Sequence, residues 1–277
     1  MYKTRNLPNT RIDVADALRG IAVAGIILYH SVEHFNIFTQ EPIAHTLACD
    51  QTVADVLAWL LSGKMYGIFA MLFGLSFFIM NDNQQQGKCF SGRFAWRMCL
   101  LFMFGIINVA FYDGDILMLY ACYGMQLGRQ RLFYNEGHHL KIWHSILISS
   151  TIIVIALSFV DFGELESWLK PIYNLIILLM IVSAIVSAWY AFEGVRRVLH
   201  HLCIFGRMSL TNYLLQSIIG CAIFCGYGLA CYRHLGITYA VMVGCAMVIT
   251  QYLFARYWFS NHPRGPLEGL WRKLTWI

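Results

Sequence analysis

The segment "ILYHSVEHFNIF", residues 27–38, contains the pattern H-x-x-E-H, formed by His30, Glu33 and His34. Two histidines four residues apart share one face of a helix, and with a glutamate beside them they are typical of a zinc hydrolase that uses the glutamate as general base. A zinc site also needs a third protein ligand and an open position for water. Three residues are candidates for that third ligand: Asp113, Asp115 and His45. An intramembrane zinc hydrolase is therefore one hypothesis for this pattern.

The composition decides which kind of protein must position these residues. The chain is 58% hydrophobic and 13% charged, with a mean hydropathy of +0.58, whereas soluble domains carry about 25% charged residues. Apolar runs of about 20 residues, enough to cross about 30 Å of hydrocarbon, recur from end to end. We therefore predict an all-α fold, a polytopic transmembrane helical bundle that forms one integral membrane domain over residues 1–277.

Eight spans are predicted, of which the fourth is the weakest because it is short and follows the third almost without a loop. They cover residues 14–35, 53–80, 94–112, 114–128, 142–161, 171–193, 208–231 and 237–259. Most of the 20 lysines and arginines then fall on one side, which by the positive-inside rule places both termini in the cytoplasm. The same rule explains the net charge of +5, so the partner that we expect is the lipid bilayer and not nucleic acid.

The first span carries ionisable residues along one helical stripe, which includes Asp16, Arg19, His30 and His34. Asp16 and Arg19 are three residues apart and can form an ion pair, either to fix helix packing or to contact a substrate. His30 lies fourteen residues after Asp16, about 21 Å further along the helix axis. Ionisable groups at such depth normally face a bundle interior or a wet cavity. His30 is accordingly either a satisfied interior histidine or a catalytic base.

Polar residues of other spans form further candidate sites. Asp115 begins "DILMLY" and can cap that helix or orient an imidazole. Asn212 and Gln216, in "RMSLTNYLLQS", either join neighbouring helices or line a polar passage. Arg97 and Arg207 lie at the predicted cytoplasmic edge, where they can bind lipid headgroups or the diphosphate of coenzyme A.

Five blocks of the chain resemble the YeiB-like family of bacterial inner-membrane proteins. They are "RIDVADALRGIAVAGIILYH", "FAMLFGLSFFIM", "DGDILMLYACYG", "GRMSLTNYLLQSIIG" and "YWFSNHPRGPLEGLWRKLT". This family is placed in the transmembrane acyltransferase superfamily, with heparan-α-glucosaminide N-acetyltransferase and the membrane O-acyltransferases as relatives. The chain departs from the family pattern, which usually has Asn at position 30 and His at position 108, because it carries His30 and Asn108. It is also shorter than that pattern, as if helices were absent between the fourth span and the end.

The resemblance implies a multi-pass protein of the bacterial inner membrane that transfers an acyl group. The donor would be cytoplasmic acyl-CoA, above all acetyl-CoA, with no metal expected. The acceptor would be a hydroxyl or amine of a small molecule, glycan or lipid at the outer face. His30 would act as base or carry the acyl group transiently, and Asn108 or Arg19 would stabilise the oxyanion. Beyond the resemblance, in which Glu33 has no part, we expect Asp16, Glu33 and His34 to contact the substrate. Acyl transfer also requires a water-accessible crevice that joins the arginine-rich edge to His30.

Two further alternatives stay open. A transporter or channel would use the same polar face without covalent chemistry, and a catalytically silent scaffold would use it for neither. A homodimer is also possible. Among the nine cysteines, Cys49 and Cys231 lie on the predicted outer side and can form a disulfide there, which their spacing does not decide.

Overall fold

The computed structural model describes residues 12–33, 47–84, 117–133, 139–159, 166–226 and 228–275. These ranges are helical, and no strand occurs within them. Their α-helices are α1 (Asp13–Val32), α2 (Asp50–Leu61), α3 (Lys64–Gln84), α4 (Leu117–Arg129), α5 (Leu140–Leu157), α6 (Glu166–Ala191), α7 (Glu193–Arg207), α8 (Ser209–Phe224), α9 (Ile237–Asn261) and α10 (Pro266–Thr275). A 3-10 turn, Cys231–Arg233, lies between α8 and α9.

The described helices form a membrane helical bundle, as predicted. Five stretches are long and apolar enough to cross a bilayer: Asp13–Val32, Asp50–Ser76, Leu140–Leu157, Ile172–Ala191 and Ile237–Asn261. The helices in the fourth and seventh predicted spans are shorter, since α4 has 13 residues and α8 has 16. The third predicted span, 94–112, lies outside the described residues. The count of eight and the cytoplasmic position of both termini therefore stay predictions.

The second predicted span, 53–80, is not one helix. It divides into α2 and α3 at Ser62 and Gly63, where Gly63 has a φ of +68°. A residue in this left-handed conformation ends a helix, and glycine adopts it without a Cβ penalty. An added Cβ would also lie 3.2 Å from the Asn174 side-chain nitrogen. A hydropathy profile does not show this break, because the apolar run continues across it.

Residues 193–207 form the amphipathic helix α7. Cys203, Phe205 and Gly206 are buried against the bundle, whereas Arg196 and Arg197 are exposed. Apolar residues recur there every three or four positions, which is the pattern of a helix with one buried face. The sequence predicts no span over residues 194–207, since this segment is too polar to cross a membrane.

Helix α1 is the centre of the bundle, since α3, α7, α8 and α9 all pack against it. It crosses α7 closely at two glycines. A Cβ on Gly206 would lie 1.9 Å from the Asp16 carbonyl oxygen, and one on Gly20 would lie 2.3 Å from the Leu202 carbonyl oxygen. Small residues allow helix backbones to approach in this way inside membranes. The crossing places Arg207 beside Asp16 and Arg19.

Helices α3 and α4 meet through a second set of glycines. Gly74 faces the backbone of Ala121, while Gly124 faces the backbone of Met71. Gly124 belongs to "GMQLG", a G-x-x-x-G pattern with Gly128, which is typical of closely packed membrane helices. This packing fixes α3, whose side chains reach both ends of α1.

Candidate functional site

The polar residues of α1 lie at its two ends, which we name the arginine end and the histidine end. The arginine end contains Asp16 and Arg19, and the histidine end contains His30 and Glu33. Asp13 and Asp16 occupy the first turn of α1, where carboxylates interact favourably with the helix dipole. The two ends are described in turn.

At the arginine end, the guanidinium of Arg19 joins α1 to α3. Its Nη1 donates to the Asp16 carboxylate at 2.6 Å, and Nη2 donates to the Ser76 hydroxyl and to the Leu72 carbonyl at 3.4 Å. Asp16 is only 4% exposed. The predicted ion pair therefore exists, and its low exposure explains why the carboxylate needs a charged partner.

A cleft of about 230 Å³ opens beside this ion pair. It is lined by residues of α1, α3, α7, α8 and α10: Asp16, Arg19, Phe69, Phe73, Ser76, Gly206, Arg207, Ser209 and Glu268. Arg207 ends α7, and its guanidinium lies 4.5 Å from the centre of the Phe259 ring, a cation–π contact. Two guanidinium groups thus border one cleft.

Glu268 of α10 caps the first turn of α8, which also borders the cleft. Its Oε1 accepts from the backbone N–H of Leu210 at 2.9 Å and of Thr211 at 3.1 Å. Its Oε2 accepts from the Thr211 hydroxyl at 2.7 Å, and that hydroxyl accepts from the Leu267 N–H at 3.2 Å. A carboxylate satisfies the free N–H groups at a helix start and interacts with its dipole. This contact holds the C-terminal helix over the cleft.

At the histidine end, His30 lies between a phenol and a carboxylate. The Tyr66 hydroxyl is 2.5 Å from His30 Nε2, and Glu33 Oε2 is 3.9 Å from Nδ1. The His30 and Tyr66 rings meet edge to face at 5.6 Å, and the His30 side chain is 19% exposed. Nε2 is therefore hydrogen-bonded to the phenol, whereas the Glu33 carboxylate lies beyond hydrogen-bond distance of Nδ1 but close enough to interact with a protonated imidazole.

Aliphatic side chains of α1 and α3 are buried in the described part of the bundle between the two ends. Val23, Ile26 and Ile27 of α1 are fully buried, as is Ile68 of α3. The cleft at the arginine end is not lined by His30. The predicted crevice between the ends is thus not visible among the described residues, and it stays a prediction for which residues 85–116 lie outside the description.

The other predicted site residues fall into two groups. Asn212 and Gln216 are fully buried on α8, and the Asn212 amide nitrogen donates to the Phe205 carbonyl at 3.1 Å. Four candidates lie outside the described residues: His34, Arg97, Asn108 and Asp115. The structure therefore brings Asp16, Arg19 and Arg207 together, and separately pairs His30 with Glu33.

The described residues provide no further ligand for the zinc ion that the H-x-x-E-H pattern suggested. No group of three His, Cys, Asp or Glu side chains that could hold a metal occurs among them. The three possible third ligands and His34 lie outside the description, and His30 Nε2 is engaged by Tyr66.

Cys49 and Cys231 are free thiols, and the Cys49 sulfur lies 3.6 Å from the Thr238 hydroxyl.

Three site residues were missed by the sequence analysis: Tyr66, Phe259 and Glu268. Phe259 and Glu268 both belong to "YWFSNHPRGPLEGLWRKLT", a block that the resemblance had already marked. An acidic residue inside that otherwise basic segment was a usable pattern. Tyr66 had none, because a tyrosine within a long apolar run is indistinguishable from a packing residue.

The helices and the two polar ends together define a membrane helical bundle with ionisable groups held inside it. Residues 127–277 match the family model described as "Protein of unknown function (DUF418)", and the chain belongs to this family. No solved structure matches the chain significantly.

Three curated relatives extend the comparison. The chain is 23% identical to "Uncharacterized 39.9 kDa protein in amylase 3'region" of Bacillus acidopullulyticus, over 96% of this chain and 94% of the relative. It is 23% identical to YxaH of Bacillus subtilis, over 98% of this chain and 96% of YxaH. It is 34% identical to YeiB of Escherichia coli, over 31% of this chain and 22% of YeiB. The alignment with YxaH extends over 393 positions, so YxaH contains segments that this chain of 277 residues lacks.

Proposed function

We propose that the protein is an acyltransferase of the bacterial inner membrane. It would move an acyl group, in the first instance acetyl, from cytoplasmic acyl-CoA to a hydroxyl or amine acceptor at the outer face. The observation that supports this proposal is the imidazole of His30, held between the Glu33 carboxylate and the Tyr66 phenol near the end of a membrane helix. This arrangement suits a general base better than a packing residue.

The arginine end supplies the features that a thioester donor made in the cytoplasm would need. Arg19 and Arg207 border one cleft, and guanidinium groups are the preferred partners of phosphate oxygens. Arg19 lies eleven residues before His30, about 16 Å along the helix. We therefore assign Arg19 to donor binding and leave the oxyanion role to Asn108.

In the proposed reaction the acceptor oxygen or nitrogen attacks the acyl carbonyl carbon, and the bond to the CoA sulfur breaks. The acceptor's proton passes to the Tyr66 oxygen while the phenol proton moves to His30 Nε2. Glu33 stabilises the resulting imidazolium through Nδ1. His30 then returns the proton to the departing thiolate, so that free CoA and the acylated acceptor leave.

The proposal is tested with purified protein in lipid nanodiscs, radiolabelled acetyl-CoA and a lipid and glycan extract of the native membrane. We expect His30→Ala to abolish label transfer and Tyr66→Phe to reduce it by about 10²–10⁴-fold, the usual contribution of general acid–base catalysis. His200→Ala is the matched control, since His200 is exposed on α7. Undiminished transfer by His30→Ala would remove the centre of the mechanism.

A transporter remains the alternative, because the buried amides of α8 would also suit a polar solute in transit. The two functions predict different products. Acetyl-CoA binding followed by release of free CoA favours transfer, whereas solute flux through proteoliposomes without CoA release favours transport.

A further inference from the structure

Three amide side chains are buried inside the bundle with polar atoms that the protein leaves unsatisfied. Asn212 and Gln216 of α8 are 0% exposed, and Gln251 of α9 is 2% exposed. Neither the oxygen nor the nitrogen of Gln216 or Gln251 has a hydrogen-bond partner in the described part of the chain. The same holds for the Asn212 oxygen, although its nitrogen binds the Phe205 carbonyl.

Amides in membrane proteins usually hydrogen-bond to a neighbouring helix, which stabilises packing. The two glutamines make no such bond within the described residues. A buried amide without partners costs free energy, and it persists in native structures where a ligand or a functional requirement accounts for it. Gln251, which the sequence analysis did not single out, belongs to this set on the same grounds as Gln216.

The start of α8 fixes the depth of Gln216. Gly206, just before α8, packs against the carbonyl of Asp16 near the arginine end of α1. Gln216 lies seven residues after Ser209, about 10 Å further along the bundle. It therefore lies level with the middle of α1.

Helix α9 runs in the opposite direction and reaches the same depth. Gly244 packs against Ser31 and Leu28 near the histidine end of α1. Gln251 follows Gly244 by seven residues, about 10 Å back toward the middle. Both glutamines thus lie at the depth of the central part of α1.

The residues around these amides indicate what kind of ligand would suit them. Helices α8 and α9 both pack on α1. The cluster that joins the three helices is apolar and includes Val23, Ile27, Phe205, Phe224 and Met247. Apolar side chains such as these stabilise a charged ligand poorly, which favours a neutral one.

We propose that Gln216, Gln251 and Asn212 form a mid-membrane binding site for a neutral group that carries both hydrogen-bond donors and acceptors. Amides and hydroxyls have this chemistry. If the proposed acyl transfer is right, two substrates supply such groups: the pantetheine arm of acyl-CoA, with its amides, and a sugar acceptor, with its hydroxyls. The existence of the site does not depend on acyl transfer, but the pantetheine source rests on it.

The test measures thermal unfolding of the full chain in nanodiscs by tryptophan fluorescence, alone and with millimolar pantetheine or glucose. The variant is the double replacement Gln216→Met and Gln251→Met, which keeps side-chain length and removes the amides. Gln126→Met, at an exposed position of α4, is the matched control. We expect one probe to raise the unfolding temperature of the wild type and of the control, and not of the double variant.

The unliganded double variant provides an independent readout. It should unfold at the wild-type temperature or above, since it loses amides that had no partner. A lower unfolding temperature would show that the amides bind neighbouring helices, and the proposal would then be wrong. Absence of a shift with both probes would equally overturn it.

The two probes distinguish the two substrates that could occupy the site. The variant His30→Ala shows whether binding at the site depends on the proposed acyl transfer. A shift with pantetheine identifies the donor arm, and a shift with glucose identifies the acceptor. His30→Ala should keep the shift because His30 lies well away from the middle of α1. In the wild type, a shift with a probe but no transfer of label from acetyl-CoA would refute the transferase and leave the binding site standing.

Discussion

Replacing Glu268 with alanine should loosen the C-terminal helix from the bundle. The carboxylate accepts two backbone N–H groups of α8 and the Thr211 hydroxyl, at 2.9, 3.1 and 2.7 Å. Loss of a helix cap costs about 0.5–2 kcal/mol, and a hydrogen bond to a charged group contributes about 1.5–3 kcal/mol. Because Glu268 is half-buried and water can replace part of these bonds, we expect a loss of about 2–3 kcal/mol for the whole contact.

The variant Glu268→Gln should cost less. Its carbonyl oxygen can still accept both N–H groups, but the charge that interacts with the helix dipole is gone, a difference of about 1 kcal/mol. The Thr211 hydroxyl also loses its acceptor. For a chain of this size these values correspond to falls in unfolding temperature of about 5–10 °C for alanine and about 2–4 °C for glutamine.

The measurement is thermal unfolding in nanodiscs, with Glu193→Ala as control. Glu193 lies in the first turn of α7, but its side chain is 85% exposed and its nearest arginine nitrogen is 3.8 Å away. Exposed pairs of this kind contribute little, so the control should match the wild type. If Glu268→Ala unfolds at the same temperature as Glu193→Ala, the capping contact does not stabilise the protein.

Three other changes test the packing and the chemistry. Gly206→Ala should lower the stability by about 1–3 kcal/mol, since its Cβ would lie 1.9 Å from a carbonyl oxygen of α1. Gly194→Ala is the control and should not lower it, because a Cβ there would have nothing within 4 Å. Equal unfolding temperatures of the two variants would refute the close crossing. Asp50→Asn should destabilise the contact between the start of α2 and the start of α9 by about 1–2 kcal/mol. The Asn oxygen can still accept the Thr238 N–H and hydroxyl, but the buried negative charge is lost, and the Leu47 N–H loses the second carboxylate oxygen, 3.1 Å away. Unchanged thermal unfolding would contradict this. Treatment with EDTA should leave acyl transfer unaffected if His30 acts as a base, whereas loss of transfer restored by zinc would favour the hydrolase-type site.

The membrane character and the family resemblance were predictable from the sequence because both depend on local composition and on order along the chain. The Asp16–Arg19 ion pair was also predictable, since helical periodicity alone brings residues three apart together. The break at Gly63 and the amphipathic helix α7 were not predicted. The break at Gly63 does not change the hydropathy of the segment around it. Helix α7 is too polar to be predicted as a membrane span.

The site required the tertiary structure wherever its residues come from different helices. Nothing in the chain order links Tyr66 to His30, or Glu268 to Thr211, because their proximity depends on how α3 and α10 pack. The crossing of α1 and α7 depends equally on which glycines face each other. Sequence spacing reports neighbours on one helix only.

By itself, the sequence determined that this chain must lie in a membrane, since no other solvent accommodates so many long apolar runs, and it determined which polar residues share the face of α1. Only the tertiary structure decided that the arginine and histidine ends hold separate groups of side chains, and that two glutamines from antiparallel helices lie at one depth. The physical reason is that hydrophobicity adds up along a chain, whereas hydrogen bonds and ion pairs require atoms from distant segments within about 3 Å of each other.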